Sequence, residues 1–183
     1  MGTYYFFAWL DMRGKELSQL SNYGLLEIIN KGKLPLPFVV AVPQCPSESY
    51  WNMERDAVTG LVDELITNHR LDPRRIYLIG YSMGGYGVWD LAIHNPKTFV
   101  AIVPLSSGGQ VSKAEQLKNT AIWTFHRARD GIVPLEQMTN MVSAVEQHQG
   151  SVSLTIYPDM GHDILRTTLS NQELYTWLLE QRK

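Results

Sequence analysis

The chain has 183 residues, of which 44% are hydrophobic and 19% are charged, and its formal net charge is -2 at pH 7. This length and composition predict a single domain over residues 1–183 that buries roughly 70% of the surface of its unfolded form and needs no disulfide or structural metal. The near-neutral balance, without a run of lysine or arginine, argues against nucleic acid or a membrane surface as a partner.

The cysteine content and the apolar runs bear on cellular location. Cys45 is the single cysteine, so no internal disulfide can form, which fits the cytosol and also a secreted protein without disulfides. The run 4–10 is far shorter than the ~20 apolar residues of a membrane helix, and it lacks the basic flank of a signal peptide. We therefore expect a cytoplasmic protein.

Short apolar runs alternate with segments of helical spacing along the whole chain. Six runs suit strands that are buried on both faces, and they are 4–10, 38–43, 75–80, 99–105, 121–126 and 152–157. Six segments have helical spacing, and they are about 21–31, 52–69, 83–94, 112–118, 135–149 and 170–182, of which 112–118 could equally be an irregular turn. The alternation predicts an α/β fold with a mostly parallel sheet of about six strands and helices on both faces.

A Gly-x-Ser-x-Gly pattern stands between the third predicted strand and the helix that follows it. In this context the serine occupies a strained turn, and Gly80 and Gly84 let strand and helix approach closely. The Met83 N–H points to the place where an oxyanion would form. A phosphate-binding loop is the alternative, but it would want a lysine after the glycines, where this chain has Tyr86. The pattern therefore predicts Ser82 as a nucleophile.

A serine hydroxyl needs a general base within hydrogen-bond reach. His162 follows the last predicted strand, at the carboxyl edge where open α/β sheets bind ligands. His69, His94 and His148 fall at the ends of predicted helices and suit solvated positions. His126 closes a predicted strand and could also reach the active face, but it precedes the candidate acid in sequence. His162 is therefore the predicted base.

The base needs a carboxylate to orient it. Asp130 directly follows the fifth predicted strand, whereas Asp159 and Asp163 more naturally shape the histidine loop and cap the final helix. A metal triad of His126, Asp130 and His162 is a second interpretation, but it leaves the serine turn without a role. Asp130 is therefore the predicted acid.

Taken together, these motifs resemble the α/β-hydrolase superfamily, in particular its compact phospholipase/carboxylesterase and dienelactone-hydrolase-like branch, which includes proteins described as predicted peptidases. The resemblance covers nearly the whole chain, and its most specific pieces are 42–46, 80–85, 126–134 and 161–162. It implies a catalytic triad of Ser82, Asp130 and His162 in the chain order of that superfamily. No metal or organic cofactor is needed for such a triad.

The amino-terminal turn departs from the family pattern. Relatives carry His-Gly-x-Gly where this chain has Ala8, Trp9, Leu10 and Asp11, and the backbone there supplies a second oxyanion donor. The resemblance thus implies the N–H groups of Leu10 and Met83 as the oxyanion hole. Trp9 replaces a glycine and would strain a turn that needs positive φ, and losing one donor costs on the order of 10²–10³ in rate. A catalytically weakened binding protein is therefore an alternative.

Relatives also begin with one or two antiparallel strands ahead of the strand that corresponds to 4–10. The resemblance therefore implies a fold that lacks these usual amino-terminal strands, or a native amino terminus longer than the sequence given. Without them, the apolar strand 38–42 becomes an edge that invites pairing with another chain, although Pro37 and Pro43 limit this. We predict a homodimer joined near residues 36–46.

The pocket is expected to be open, because no insertion is long enough to form a lid. Trp51 and Tyr81 are aromatic residues near the carboxyl edge of the sheet and are the predicted substrate contacts. An open pocket suits small or short-acyl esters, so we predict a serine hydrolase of carboxylesterase type that acts through an acyl-enzyme. A peptidase using the same triad is an alternative, because the chemistry of acyl transfer is shared.

Overall fold

The computed structural model describes residues 4–10, 13–22, 24–31, 38–69, 71–159 and 162–183. The strands are β1 (Tyr4–Leu10), β2 (Phe38–Ala41), β3 (Leu71–Tyr81), β4 (Ala101–Leu105), β5 (Ala121–Arg127) and β6 (Val152–Tyr157). The helices are α1 (Gly24–Asn30), α2 (Arg55–Asn68), α3 (Met83–His94), α4 (Leu135–Gln147), α5 (Leu165–Leu169) and α6 (Gln172–Glu180). Two short 3-10 helices cover Leu17–Asn22 and Val111–Leu117.

The strands form one sheet in the order β2-β1-β3-β4-β5-β6, and every neighbouring pair is parallel. The predicted parallel sheet of about six strands is confirmed. The chain leaves β1 toward β2 and then returns to the other side of β1 with β3, so the winding direction reverses between β1 and β3. Such reversal points, at the carboxyl ends of the strands, are where open α/β sheets bind ligands.

Helices cover both faces of the sheet because alternate residues of each strand point to opposite sides. In β3, Ile76 and Leu78 pack with α2, α3 and α4, whereas Tyr77 and Ile79 pack with α1, α5 and α6. All four side chains are almost fully buried. The apolar run of this strand from Ile76 to Tyr81 is therefore explained by two hydrophobic cores, one on each face.

The predicted elements differ from the observed ones mainly where helices are short. The predicted segment 21–31 is a 3-10 helix followed by α1, and the predicted segment 112–118 is a 3-10 helix. Segment 170–182 is α6 alone, and α5 precedes it where no helix was predicted. A helix of five residues has too few turns for its apolar spacing to stand out. None of the described helices is long and apolar enough to cross a membrane.

The strand β2 lies at one edge of the sheet that the described residues form. Its four residues are only half-buried. Residues 36 and 37 of that segment lie outside the described residues, so the dimer stays a prediction.

Cys45 links the loop that follows β2 to the amino-terminal part of the chain. Its carbonyl accepts a hydrogen bond from the Gly14 N–H at 3.0 Å, and an isolated bridge joins it to Arg13. The side chain is fully buried, and this burial, helped by the Glu54 charge, raises the pKa of the thiol. A buried thiol of raised pKa is chemically unreactive in the folded protein.

Candidate active site

The site is built at the carboxyl ends of four neighbouring strands. Ser82 follows β3, Ser106 follows β4, Asp130 comes three residues after β5, and His162 lies in the connection after β6. Because the strands are parallel and adjacent, their carboxyl ends meet at one edge of the sheet. Residues that are far apart in sequence are thereby brought together.

Ser82 sits in a strained turn between β3 and α3, as its sequence pattern predicts. Its φ is 52°, in the left-handed region that costs a residue with a side chain about 1–3 kcal/mol. Its N–H donates to the carbonyl of Leu105 at 2.9 Å, which fixes the turn to the end of β4. A Cβ added at Gly85 would lie 2.7 Å from that same carbonyl, so this glycine permits the close approach of helix and strand.

Ser82, His162 and Asp130 form one continuous chain of hydrogen bonds. His162 Nε2 lies 3.2 Å from Ser82 Oγ, and His162 Nδ1 lies 2.6 Å from Asp130 Oδ2. An ionised carboxylate can only accept, so Nδ1 carries the proton and Nε2 is left as the acceptor. This is the tautomer that a general base facing Ser82 requires.

Asp130 is held as an anion by its surroundings. Its side chain is fully buried, and its Oδ1 accepts the backbone N–H groups of Ile132 and Val133 at 2.8 and 2.9 Å. Burial alone would raise the pKa of Asp130, but the hydrogen bonds from Val133, His162 and Ile132 outweigh it and hold the pKa below its ordinary value. The carboxylate therefore stays charged beside His162.

Tyr81 lies behind His162 instead of in a substrate pocket, which corrects the predicted role. Its ring is 7% exposed and packs on the His162 ring with 5.3 Å between centroids. Its hydroxyl donates to the His162 carbonyl at 3.0 Å, and Ser106 Oγ donates to the same carbonyl at 3.4 Å. The side chains of alternate residues leave a strand on opposite faces, so Tyr81 points away from the α3 side, where the groove lies.

A groove of about 320 Å³ opens beside the serine. The described residues that line it are Tyr50, Trp51, Asn52, Ser82, Met83, Tyr86 and Gly87. Trp51 forms a wall of this groove, and Gly87 makes room for it, since an added Cβ would lie 2.5 Å from Trp51 Cβ. The role of Trp51 as a substrate contact stays a prediction. None of these lining residues carries a charge.

Tyr86 is a lining residue that the sequence reasoning treated only as evidence against a phosphate loop. It stands four residues after Ser82, on the same side of the first turn of α3, so helical spacing alone could have placed it in the pocket. Its hydroxyl bonds to Gln137 Oε1 of α4 at 2.5 Å. Burial, followed by the Asp130 charge, raises the pKa of this hydroxyl, so it stays a neutral donor.

The oxyanion residues occupy suitable elements. Met83 is the first residue of α3, whose amino-terminal N–H groups have no partner within the helix. Leu10 ends β1 and is in register with Gly80 of β3, two residues before Ser82. Asp11, the last residue of the altered turn, lies outside the described residues. The participation of Leu10 and Met83 as donors stays a prediction.

The remaining histidines separate into solvated and buried ones. His69 and His148 are exposed at helix ends, and His94 Nδ1 bonds to the Asp90 carbonyl within α3. His126 is fully buried beside Asp130, with its Nε2 3.9 Å from Asp130 Oδ2. Among the described residues, no group of three His, Cys, Asp or Glu side chains has the spacing of a metal site.

The fold and the hydrogen-bonded serine, histidine and aspartate define an α/β-hydrolase. A family profile described as Phospholipase/Carboxylesterase matches residues 46–178, well over half of the chain. The chain belongs to this family. In a comparison with curated protein sequences, none matched.

Solved structures agree with this assignment. A thermostable esterase is 28% identical, with a TM-score of 0.81 over 99% of this chain, and the chain spans 56% of that esterase. SOBER1 from Arabidopsis thaliana is 17% identical, with a TM-score of 0.73 over 97% of this chain and 98% of its own. A feruloyl esterase module from Clostridium thermocellum is 13% identical, with a TM-score of 0.68 over 88% of this chain and 72% of its own. The last two support the fold alone.

Proposed function

We propose that the chain is a serine esterase that hydrolyses small carboxylic esters through an acyl-enzyme. The observation that carries the proposal is the continuous hydrogen-bond chain from Ser82 Oγ through His162 to Asp130, at 3.2 and 2.6 Å. The 28% identity to a thermostable esterase supports the same reaction class. The acyl-transfer chemistry of such a triad needs no group beyond water.

The proposed reaction has two halves. Ser82 Oγ attacks the ester carbonyl while His162 Nε2 takes its proton, and the oxyanion forms against the N–H groups of Met83 and Leu10. Collapse of the tetrahedral intermediate expels the alcohol, which takes the proton from His162. Water then attacks the acyl-enzyme by the same route and releases the acid. Asp130 orients His162 throughout and stabilises its cation.

The groove supports small, uncharged acyl groups. Its volume of about 320 Å³ is near the lower end of small-molecule pockets, which span roughly 300–1,000 Å³. Tyr50, Trp51 and Tyr86 give it aromatic walls, and no charged side chain of the described lining residues would pair with an ionic substrate. We therefore expect rates to fall as the acyl chain lengthens.

The first test is hydrolysis of p-nitrophenyl acetate, butyrate and octanoate by the wild type and by Ser82→Ala. We expect kcat to fall by about 10⁴-fold or more in the variant, because the attacking oxygen is removed. Ser153→Ala, at an exposed serine of β6 outside the groove, is the matched control and should retain full activity. Equal rates in wild type and Ser82→Ala would refute the proposal. If the esters were not hydrolysed but short peptides released amines in a Ser82-dependent reaction, the protein would be a peptidase instead of an esterase.

Asp130→Asn tests the acid separately. The amide can present an N–H to His162 Nδ1 and so favour the wrong tautomer, for which a loss of about 10⁴-fold in kcat is expected. Unfolding by urea, followed by circular dichroism, checks that the variant is folded. If a folded Asp130→Asn variant kept the wild-type kcat, this carboxylate would have no role in the reaction.

A further inference from the structure

His126 is a buried histidine that the proposed reaction does not use. It lies near the end of β5, four residues before Asp130, and its side chain is fully buried. A buried imidazole is costly unless its polar atoms are used, so its placement beside the catalytic acid calls for a physical reason.

The contacts of His126 all lead to Asp130. Its Nε2 lies 3.1 Å from the Val133 carbonyl and 3.9 Å from Asp130 Oδ2. The Val133 N–H, in turn, donates to Asp130 Oδ1 at 2.9 Å. Val133 is therefore held at its carbonyl by His126 and holds Asp130 through its N–H. The imidazole thus fixes the loop that carries the carboxylate.

The same geometry sets the protonation of His126. A carbonyl can only accept, so Nε2 carries the hydrogen, and the same nitrogen lies 3.9 Å from Asp130 Oδ2. The other nitrogen, Nδ1, is buried and has no hydrogen-bond partner among the described residues. Burial lowers the pKa of His126, and the opposing effect of the Asp130 charge does not restore it. The ring is therefore neutral at neutral pH.

We propose that His126 is a positioning residue that, as a neutral imidazole, holds Asp130 in line with His162 Nδ1. This proposal rests on the proposed function of the triad. One oxygen of Asp130, Oδ1, accepts hydrogen bonds from the loop, and the other, Oδ2, faces His162 Nδ1. Rotation of the carboxylate would exchange the two oxygens. The Nε2–H of His126 restrains that rotation, because it anchors the Val133 carbonyl at 3.1 Å and lies 3.9 Å from Asp130 Oδ2.

The test compares two substitutions at this position in the full chain. His126→Phe keeps a buried ring without a donor, whereas His126→Gln keeps an N–H near the place of Nε2. Thr124→Val is the matched control on the same strand, since its buried hydroxyl donates to the Pro104 carbonyl at 2.7 Å without touching the triad. Steady-state hydrolysis of p-nitrophenyl acetate is measured for each, with active sites counted by fluorophosphonate labelling.

We expect kcat per labelled site to fall by about 10- to 100-fold in His126→Phe with KM nearly unchanged, the loss typical of a misplaced catalytic group. His126→Gln should recover most of it, and Thr124→Val should stay within about twofold of wild type. In an Asp130→Asn background, His126→Phe should lower kcat only slightly further, because both substitutions act through the same carboxylate. Wild-type kcat in folded His126→Phe, or a full additional loss in the Asp130→Asn background, overturns the proposal.

A spectroscopic measurement separates this inference from the proposed function. The proton on His162 Nδ1, 2.6 Å from Asp130 Oδ2, should give a low-field ¹H resonance that is absent in His162→Ala. We expect it to shift upfield or vanish in His126→Phe and to persist in His126→Gln and Thr124→Val. A wild type without esterase activity would refute the proposed function alone, whereas an unchanged resonance in His126→Phe would refute the positioning role.

Discussion

Neighbouring side chains hold His162 in place. Asp130 bonds its ring, while Tyr81 and Ser106 donate to its backbone carbonyl. Tyr81 stands directly before Ser82 in sequence, so one strand end supplies both the serine and a restraint on His162. The sequence marks the serine through its glycines but carries no signal for the tyrosine, because the contact is made across the sheet to a residue 81 positions away.

Tyr81→Phe tests this restraint. Loss of one neutral hydrogen bond is worth about 0.5–1.5 kcal/mol, so we expect kcat to fall by roughly 2- to 12-fold with KM unchanged. Tyr175→Phe is the matched control, because its buried hydroxyl donates to the Leu169 carbonyl at 2.7 Å, between α5 and α6. Both variants should lose similar stability in urea unfolding, and only Tyr81→Phe should lose rate. Equal rates for the two variants would argue against the restraint.

At the scale of elements, the turn between β3 and α3 depends on how closely α3 approaches β4. A Cβ at Gly85 would lie 2.7 Å from the Leu105 carbonyl and 2.5 Å from Ser107 Oγ. The same carbonyl accepts the Ser82 N–H. Any shift that relieves the contact would therefore move Ser82 as well as the helix.

Gly85→Ala is expected to destabilise the fold by about 1–3 kcal/mol, as overpacking does, and to lower kcat as well. Gly60→Ala is its counterpart in an exposed position of α2, where an added Cβ meets no heavy atom of the described residues within 4 Å. It should stabilise the protein by about 0.5–1 kcal/mol and leave kcat unchanged. Urea unfolding and p-nitrophenyl acetate hydrolysis measure both effects. A stabilised Gly85→Ala with full activity would contradict the close-packing argument.

The sequence predicts the strands well and the short helices poorly. The strand β4 and the part of β3 from Ile76 on are continuous apolar runs, because two cores bury their alternate side chains. Ser82, Asp130 and His162 could be grouped from the sequence because each lies within a few residues after a strand end, at one edge of the sheet. The helix α5 escaped prediction because five residues hold little more than one turn. The role of His126 also escaped, because it depends on two distances and on burial rather than on spacing.

For the whole molecule, buried ionisable groups link stability to pH. The folded state holds the pKa of Asp130 below its ordinary value, and a hydrogen bond with Arg74 does the same for Asp72. Burial lowers the pKa of His126. In all three cases the unfolded chain binds a proton more readily than the folded one, so acid favours unfolding.

The free energy of unfolding should therefore decrease as the pH falls. The contribution of His126 is complete above its unfolded pKa of about 6.5 and is lost below it, whereas those of Asp72 and Asp130 are lost below about 3.9. Urea unfolding at pH 7.5, 5.0 and 3.5 measures this. In His126→Phe the change between pH 7.5 and 5.0 should shrink, since no imidazole titrates at that position. The same pH dependence in wild type and variant would show that another group is responsible.

The burial of Cys45 gives the molecule a built-in reporter of opening. The thiol is fully buried, the Cys45 carbonyl accepts the Gly14 N–H, and burial raises the pKa of the thiol. Iodoacetamide in excess should therefore modify the native protein only as fast as this region opens. Since Cys45 is the single cysteine, one mass increment measured over time reports the opening of the segment that joins the amino-terminal strands to the rest of the chain. Its rate equals the opening rate when alkylation is faster than closing.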